Sequence, residues 1–425
     1  MRFVRPDTRA CSASSDMTRE GRHGWLIVAG LATVCFVVCG TTLSTISIFI
    51  DPLTTEFALT AQQASSVATT FILGLQLAGV LVGWSLNRLG ARSVMSIAAI
   101  LAAAGYVWAG ASTSLTGLML AFGLSGIGVG ASTLMPSMVV VANWIIAKRA
   151  IAIGVVLGAS SLGGTIFPPL VARCIGMFGW RHTADGIAVV TVIIALPILL
   201  FLIKLPLRAA ETPEAPVAGV RPAWRTPAYW LITSIVALGN FSAMGIFFSA
   251  VSFLVRRGYS LDMASFIFAA TSLTTFAGYL LIGIAADRRR PTSVLLSALI
   301  VGGLGILGFL YADHTWLGIC AIAMFVILWG LTAGAPPQLA PLLVLEHFGL
   351  SRLAPTLGAI NLIAGVVSSF GAIVTGRLVD ATGDYTAAFA LSAIVSIAGV
   401  IPLVLLKIAS PRTSPSEIGV YEVLR

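Results

Sequence analysis

The sequence predicts an all-α membrane protein of twelve transmembrane helices, laid out as two six-helix pseudo-repeats. Three observations predict it. Only 10% of the 425 residues are charged and 58% are hydrophobic, whereas a soluble domain carries about 25% charged residues. Apolar stretches of the length a bilayer demands, about 20 residues, follow one another along the chain. A set of Gly, Lys and Arg positions recurs at a fixed spacing. The first observation alone excludes a cytosolic enzyme, a nucleic-acid binder and a disordered chain.

The first stretch, Trp25–Ile50, is longer than the apolar core of a signal peptide, and no small-residue cleavage site stands out after it, so it is expected to stay as a span. Ala64–Leu86 and Ser93–Ala111 come next, parted by Arg88 and Arg92. Leu115–Ile146 ends at Lys148-Arg149, and Ala150–Ala172 carries Pro168-Pro169, a site for a kink or close packing. Thr183–Ile203 completes the first set. The second set is Ala228–Val255, Ala264–Ala286, Thr292–Ala312, Thr315–Leu345, Leu353–Gly376 and Tyr385–Leu406. These stretches must be helices, because hydrocarbon offers no partner for an open backbone N–H or C=O. A membrane β-barrel would show alternating segments of roughly ten residues, which are missing here. The 43 glycines suit close helix–helix approach in lipid.

The expected organisation is an N-terminal tail over residues 1–24, a six-helix bundle over 25–203, a linker over 204–227, a second bundle over 228–406 and a C-terminal tail over 407–425. The linker carries Pro206, Pro213, Pro216, Pro222 and Pro227. Of the 25 Lys and Arg residues, all but Arg173, Arg181, Arg256, Arg257 and Arg377 fall on the side of the termini and the even-numbered loops. The basic excess marks the cytoplasmic side, so both termini are expected in the cytoplasm and the net charge of +9 is topological. No nucleic-acid partner is implied. The five scattered cysteines, with Cys35 and Cys39 on one helix face, fit membrane packing better than a metal or redox site.

Gly126, Gly130, Lys148, Gly154, Arg173 and Gly179 recur 204 residues later as Gly330, Gly334, Arg352, Gly358, Arg377 and Gly383. Gly83, Asn87 and Arg88 recur 200 residues later as Gly283, Asp287 and Arg288. Six helices therefore repeat as six helices in the same orientation. The stretch from Gly83 through Asn87-Arg88 to Arg92 resembles the loop 2–3 signature of the major facilitator superfamily, with Asn87 where an acid is usual; the second copy keeps Asp287. More locally, His23-Gly24-Trp25, Asn143-Trp144 with Lys148-Arg149, Phe178-Gly179-Trp180-Arg181 and Asp380-Ala381-Thr382-Gly383 resemble the branch of monocarboxylate transporters and oxalate–formate antiporters.

That resemblance implies two halves that rock about a midplane substrate site. It also implies a cytoplasmic latch involving Gly83, Asn87, Arg88, Arg92, Asp287 and Arg288. Relatives of this branch keep an Arg and an Asp in helix 8; the corresponding residues here are Tyr279 and Thr275. A Lys that some have in helix 1 falls near Ser44, and the helix 11 Lys of oxalate–formate relatives has Asn361 as the only large polar side chain in its region. No Asp, Glu, Lys, Arg or His lies near the middle of any span, where a charge costs about 2.5–3.5 kcal/mol on insertion scales. The uncharged polar groups at depth are then the candidates: Ser44, Asn240, Thr275, Tyr279, Gln338 and Asn361, with Trp329 as a stacking surface. Thr45, Ser137 and Ser160 share that depth, where Ser and Thr more often pack or bond back to the preceding turn.

The expected function is a secondary active or facilitative transporter of a small organic solute. A monocarboxylate or related organic anion is the first substrate class, and a neutral or aromatic compound leaving through an uncharged cavity is the alternative. A coupling proton or counter-substrate, a monomeric state and a bacterial cytoplasmic membrane are expected, with no cofactor and no metal.

Overall fold

The computed structural model describes residues 9–59, 61–146, 148–203 and 223–409. The linker segment 204–222 and most of the C-terminal tail lie outside the described residues. Nearly everything described is helix: α1 (Arg9–Thr41), α2 (Ile50–Phe57), α3 (Ala61–Leu89), α4 (Ala91–Ala111), α5 (Leu115–Ser132), α6 (Leu134–Trp144) and α7 (Arg149–Val190) in the first half. The second half holds α8 (Pro227–Arg256), α9 (Leu261–Arg288), α10 (Pro291–Phe309), α11 (Trp316–Thr332), α12 (Ala335–Phe348), α13 (Leu353–Thr382), α14 (Thr386–Ala398) and α15 (Val400–Ala409).

These helices make twelve spans once their breaks are understood. An apolar helical run continues from Arg149 to Leu202, too long for one crossing. It is divided at Gly179, whose φ of 80° and ψ of 160° suit glycine alone and turn the chain back. Span 1 was expected to run unbroken to Ile50. Instead α1 stops at Thr41 and a 3-10 turn over Ile46–Phe49 leads into α2. The cause is local: Thr41, Thr42 and Thr45 turn their hydroxyls onto the carbonyls of Val37, Val38 and Thr41, competing with the helical ladder. Span 4 breaks at Thr133, three residues before Pro136, and span 10 breaks between α11 and α12, just before Pro336-Pro337. Proline has no N–H for the helix and crowds the turn before it. By contrast, α7 runs through Pro168-Pro169 without a break in its helical backbone.

The apolar core shows how the halves meet. One continuous buried cluster fills the first half and crosses into the second through Ile282, Ala286, Leu339, Leu343, Leu353 and Leu357. These residues lie toward the ends of α9, α12 and α13 that carry Asp287, Glu346 and Arg352, the basic face of the molecule. On the opposite, outer face the second half keeps a separate aromatic core in which Phe253, Phe309, Phe325 and Phe389 stack or tilt against one another. Among the described residues the halves therefore share a core from the basic face to about the middle of α13, and not at the outer face.

On the outer face arginines tie each half. Arg181, just after the Gly179 turn, pairs with Glu56 of α2 at 2.7 Å and donates to the Ser112 carbonyl at 2.9 Å. The Trp180 indole donates to the other Glu56 oxygen. In the second half Arg256 donates to the carbonyl of Gly383, the counterpart of Gly179, at 2.9 Å and lies over the Tyr385 ring. The hydrogen bonds from Arg181 and then Trp180 hold the Glu56 carboxyl below its ordinary range. A depressed carboxylate contributes stability that is full above its unfolded value and is lost as pH falls through the folded one. Glu56→Gln is therefore expected to lower the stability at neutral pH, read from the thermal midpoint, by no more than an exposed pair supplies, about 0.2–1 kcal/mol. The gap to the native protein should close below about pH 4; a gap that widens in acid would contradict this.

Candidate functional site

Two helix pairs carry the contact between the halves, and both depend on missing side chains. In the first, α7 of one half lies against α9 of the other. A Cβ on Gly154 would collide with the Tyr279 carbonyl oxygen and stand 2.6 Å from the Gln338 amide nitrogen. A Cβ on Gly283 would stand 2.7 Å from the Ile151 Cα. In the second pair, α3 lies against α13. A Cβ on Gly358 would collide with the Gly79 carbonyl, and one on Gly83 would come within 3.0 Å of the Ala354 carbonyl. Gly83 beside Ala354 and Gly283 beside Ala150 are the same contact in the two repeats, 200 and 204 residues apart.

Polar groups lock the first pair at its basic end. Asp287 accepts hydrogen bonds from the N–H groups of Ala150 at 2.9 Å and Ile151 at 3.0 Å. These are open donors in the first turn of α7, where a negative charge is also favoured by the helix dipole. Gln338 is fully buried beside them. Its amide donates to the Tyr279 carbonyl at 2.7 Å and the Ala150 carbonyl at 3.2 Å, while its own oxygen has no partner among the described residues. The second pair is built differently. Pro355 stands where Ile151 stands in the first copy and has no N–H, so a carboxylate there would find one donor where Asp287 finds two. The side chain of Asn87 lies outside the described residues. Arg88, Arg92 and Arg288 are exposed at the basic face, with Arg88 lying over the Trp84 ring at 4.3 Å.

The remaining candidates divide by whether their polar atoms are already used. Thr275 bonds back to the Thr271 carbonyl at 2.9 Å. Trp329 is buried within the second half, stacked on Phe325 at 5.1 Å, and lines a small cavity with Ser242, Thr332 and Ser396. The aromatic column of Phe309 and Phe325 supplies its stacking partner, so its central depth does not put it on the seam between halves. Ser44, Asn240, Tyr279 and Asn361 keep partial access, and their side-chain polar atoms have no hydrogen-bond partner among the described residues. Tyr279 is seated by Gly334, where a Cβ would collide with its ring. Asn240 leaves α8 on the side away from Ser242, which bonds the Ser392 carbonyl of α14 at 2.8 Å.

One residue of this class escaped sequence reasoning. Gln76, near the middle of α3, is partly buried, lies flat against Gly365 of α13 and has no hydrogen-bond partner among the described residues. The argument that singled out Asn240 and Asn361, the cost of burying an amide in a membrane span, applies to it equally.

A family model described as Major Facilitator Superfamily matches residues 32–371 and 258–420. Monocarboxylate transporter 13 of Bos taurus is 25% identical over 94% of this chain and 94% of its own length. Monocarboxylate transporter 12 of Homo sapiens is 26% identical over 89% of this chain and 79% of its own. Among solved structures, the proton:xylose symporter XylE superposes with a TM-score of 0.77 at 15% identity, covering 92% of this chain and 97% of the other. The human organic anion transporter MFSD10 gives 0.66 at 17% identity, covering 90% and 99%.

The seam makes a direct prediction. Gly154→Leu places atoms where the Tyr279 carbonyl already stands, and should cost about 1–3 kcal/mol of stability. Gly186→Leu enters open space and should stay within about 0.5 kcal/mol. Equal thermal midpoints for the two variants would contradict the close approach.

Proposed function

The chain belongs to the Major Facilitator Superfamily, and from that membership we propose how it works. It is an integral membrane transporter of a small organic solute, not an enzyme. The two halves rock about the α7–α9 and α3–α13 seams. Asp287 and Gln338 hold the basic face closed while solute reaches the centre from the outer face, and their release opens the basic face. The observation that carries this is the placement of the shared core and the Asp287 contacts at one face only.

Ser44, Asn240, Tyr279 and Asn361 are the residues we assign to the solute, with Thr275 beside them on α9. Gln338 and Trp329 act in our reading as supports. The substrate class tested first is a monocarboxylate or related organic anion, in keeping with the names of the relatives. A neutral or aromatic solute is the second reading, favoured by the lack of any Asp, Glu, Lys, Arg or His at mid-span. The basic face is proposed to be cytoplasmic, which puts both termini there, and the protein is proposed to act as a monomer in a bacterial cytoplasmic membrane, moving a proton or a counter-substrate with its solute.

Purified protein in liposomes is expected to take up labelled monocarboxylates. Tyr279→Phe should reduce the initial rate about fivefold, the worth of one hydrogen bond, at unchanged protein level. Native-like uptake by that variant would remove Tyr279 from the site, and a protein that takes up only neutral aromatics would favour the second reading.

A further inference from the structure

Gln76 and Asn361 come from different halves and lie on the facing sides of α3 and α13. The Gln76 carboxamide rests on Gly365, one turn along α13 from Asn361, and the Asn361 Cβ is 3.8 Å from where a Cβ on Gly79 would stand, one turn along α3 from Gln76. Asn361 lies on the side of α13 away from the exposed stripe of Val366, Phe370 and Ile373, so it faces the protein and not lipid. Neither amide has a hydrogen-bond partner among the described residues, and each keeps partial access. The two amides sit just beyond the Gly79–Gly358 contact, where the seam ceases to be closed by backbone alone.

We propose that Gln76 and Asn361 form a carboxamide pair that binds the substrate as an undissociated carboxylic acid, so that the coupled proton travels on the substrate itself. This rests on the reading of the solute as a monocarboxylic acid. A primary amide offers an N–H donor and a C=O acceptor side by side. An undissociated carboxylic acid offers the complementary O–H and C=O, and the two close a reciprocal pair of hydrogen bonds. A carboxylate offers acceptors only, so it satisfies the amide N–H groups and sets its charge against the amide oxygens. It would also need a counter-charge, since a lone buried charge neutralises itself by taking a proton.

The surroundings supply no such counter-charge and no proton carrier. The ionisable side chains of α3 and α13 are Arg88, Arg377 and Asp380, all toward helix ends. Among the helices packed against them, α5, α6 and α14 carry none. On α8 there are Tyr229 and Arg256, and on α12 Glu346 and His347, again toward the ends. On α4 Arg92 is at the basic face and Tyr106 is sealed between Phe49 and Phe122, while Asp51 and Glu56 belong to α2 beyond the outer end of span 1. The proton released on the far side is the one the acid brought, one per substrate, and the carried load is neutral.

The test uses the purified full chain and three probes with the same ethyl group: propanoate, propanamide and ethanesulfonate. Binding is read as the ligand-induced shift in thermal midpoint against ligand-free controls at each pH. The apparent Kd for total propanoate should rise about tenfold per pH unit between pH 6 and 8, following the undissociated fraction. Propanamide should bind with a pH-independent Kd, and ethanesulfonate, which stays ionised, should not bind. Gln76→Leu and Asn361→Leu should each weaken both acid and amide about tenfold or more, and Gln76→Asn should keep part of the binding. A propanoate Kd that is flat with pH, or ethanesulfonate binding as tightly as propanoate, would overturn the proposal. Binding of propanamide without propanoate would also overturn it, by removing the monocarboxylic acid while leaving the amide pair. Failure of all three to bind would remove the pair as well. The probe series on the native protein decides the matter even where a leucine variant fails to fold.

Discussion

Two backbones can touch only where no Cβ stands between them, and the contact between the halves is built on that constraint. Gly358 brings α3 to α13, and Gly154 and Gly283 bring α7 to α9, at separations that a Cβ would prevent, with Gly83 at the tight limit beside Ala354. In lipid there is no hydrophobic force to hold helices together, so close packing and a few hydrogen bonds must do it. A seam of small residues has a second property. It is smooth, so one half can roll on the other without interlocked side chains having to disengage.

The polar groups then set which face of the seam is closed. Asp287 reaches across to two open N–H groups of α7, and Gln338 bonds two carbonyls that also lie on opposite sides of the seam. Each is a modest interaction, about 1.5–3 kcal/mol for hydrogen bonds to a charged group and less for a neutral amide. That scale suits a switch, because two states separated by a few kcal/mol can both be populated and a solute can shift them. The pair on α3 and α13 has Asn87 in place of an acid and Pro355 in place of a donor. The two repeats have thus diverged in sequence at the same place, one keeping an acid opposite two backbone N–H groups and the other an amide opposite one.

Much of this was legible in the amino-acid order. The recurrence of Gly154 as Gly358 and Gly179 as Gly383 marked positions that turned out to be a seam contact and a turn with positive φ in each half. What the order did not disclose was local competition within a span. The Thr41–Thr45 hydroxyls stop α1 early, and prolines split spans 4 and 10, although hydropathy runs on through all three breaks. Nor did depth alone tell seam from interior. Trp329 and Asn240 lie at similar depth, but Trp329 has Phe325 to stack on inside its own half, whereas Asn240 leaves the opposite side of α8 from the residues packed into that half. The depth of Gln76 was readable from the apolar stretch around it; its neighbour across the seam, Gly365, was not.

The central claim is that the halves move as two bodies, with one face opening as the other closes. Spin labels at Arg92→Cys and Arg290→Cys report the basic face, and labels at Thr113→Cys and Tyr311→Cys report the outer face, each pair joining the two halves at exposed positions. Distances for both pairs, measured in lipid with and without the added change Asp287→Asn, give the most direct test. The account predicts that loss of the Asp287 charge adds a longer distance at the basic face and, in matching proportion, a shorter one at the outer face. A basic-face distance that lengthens while the outer-face distance stays fixed would contradict it.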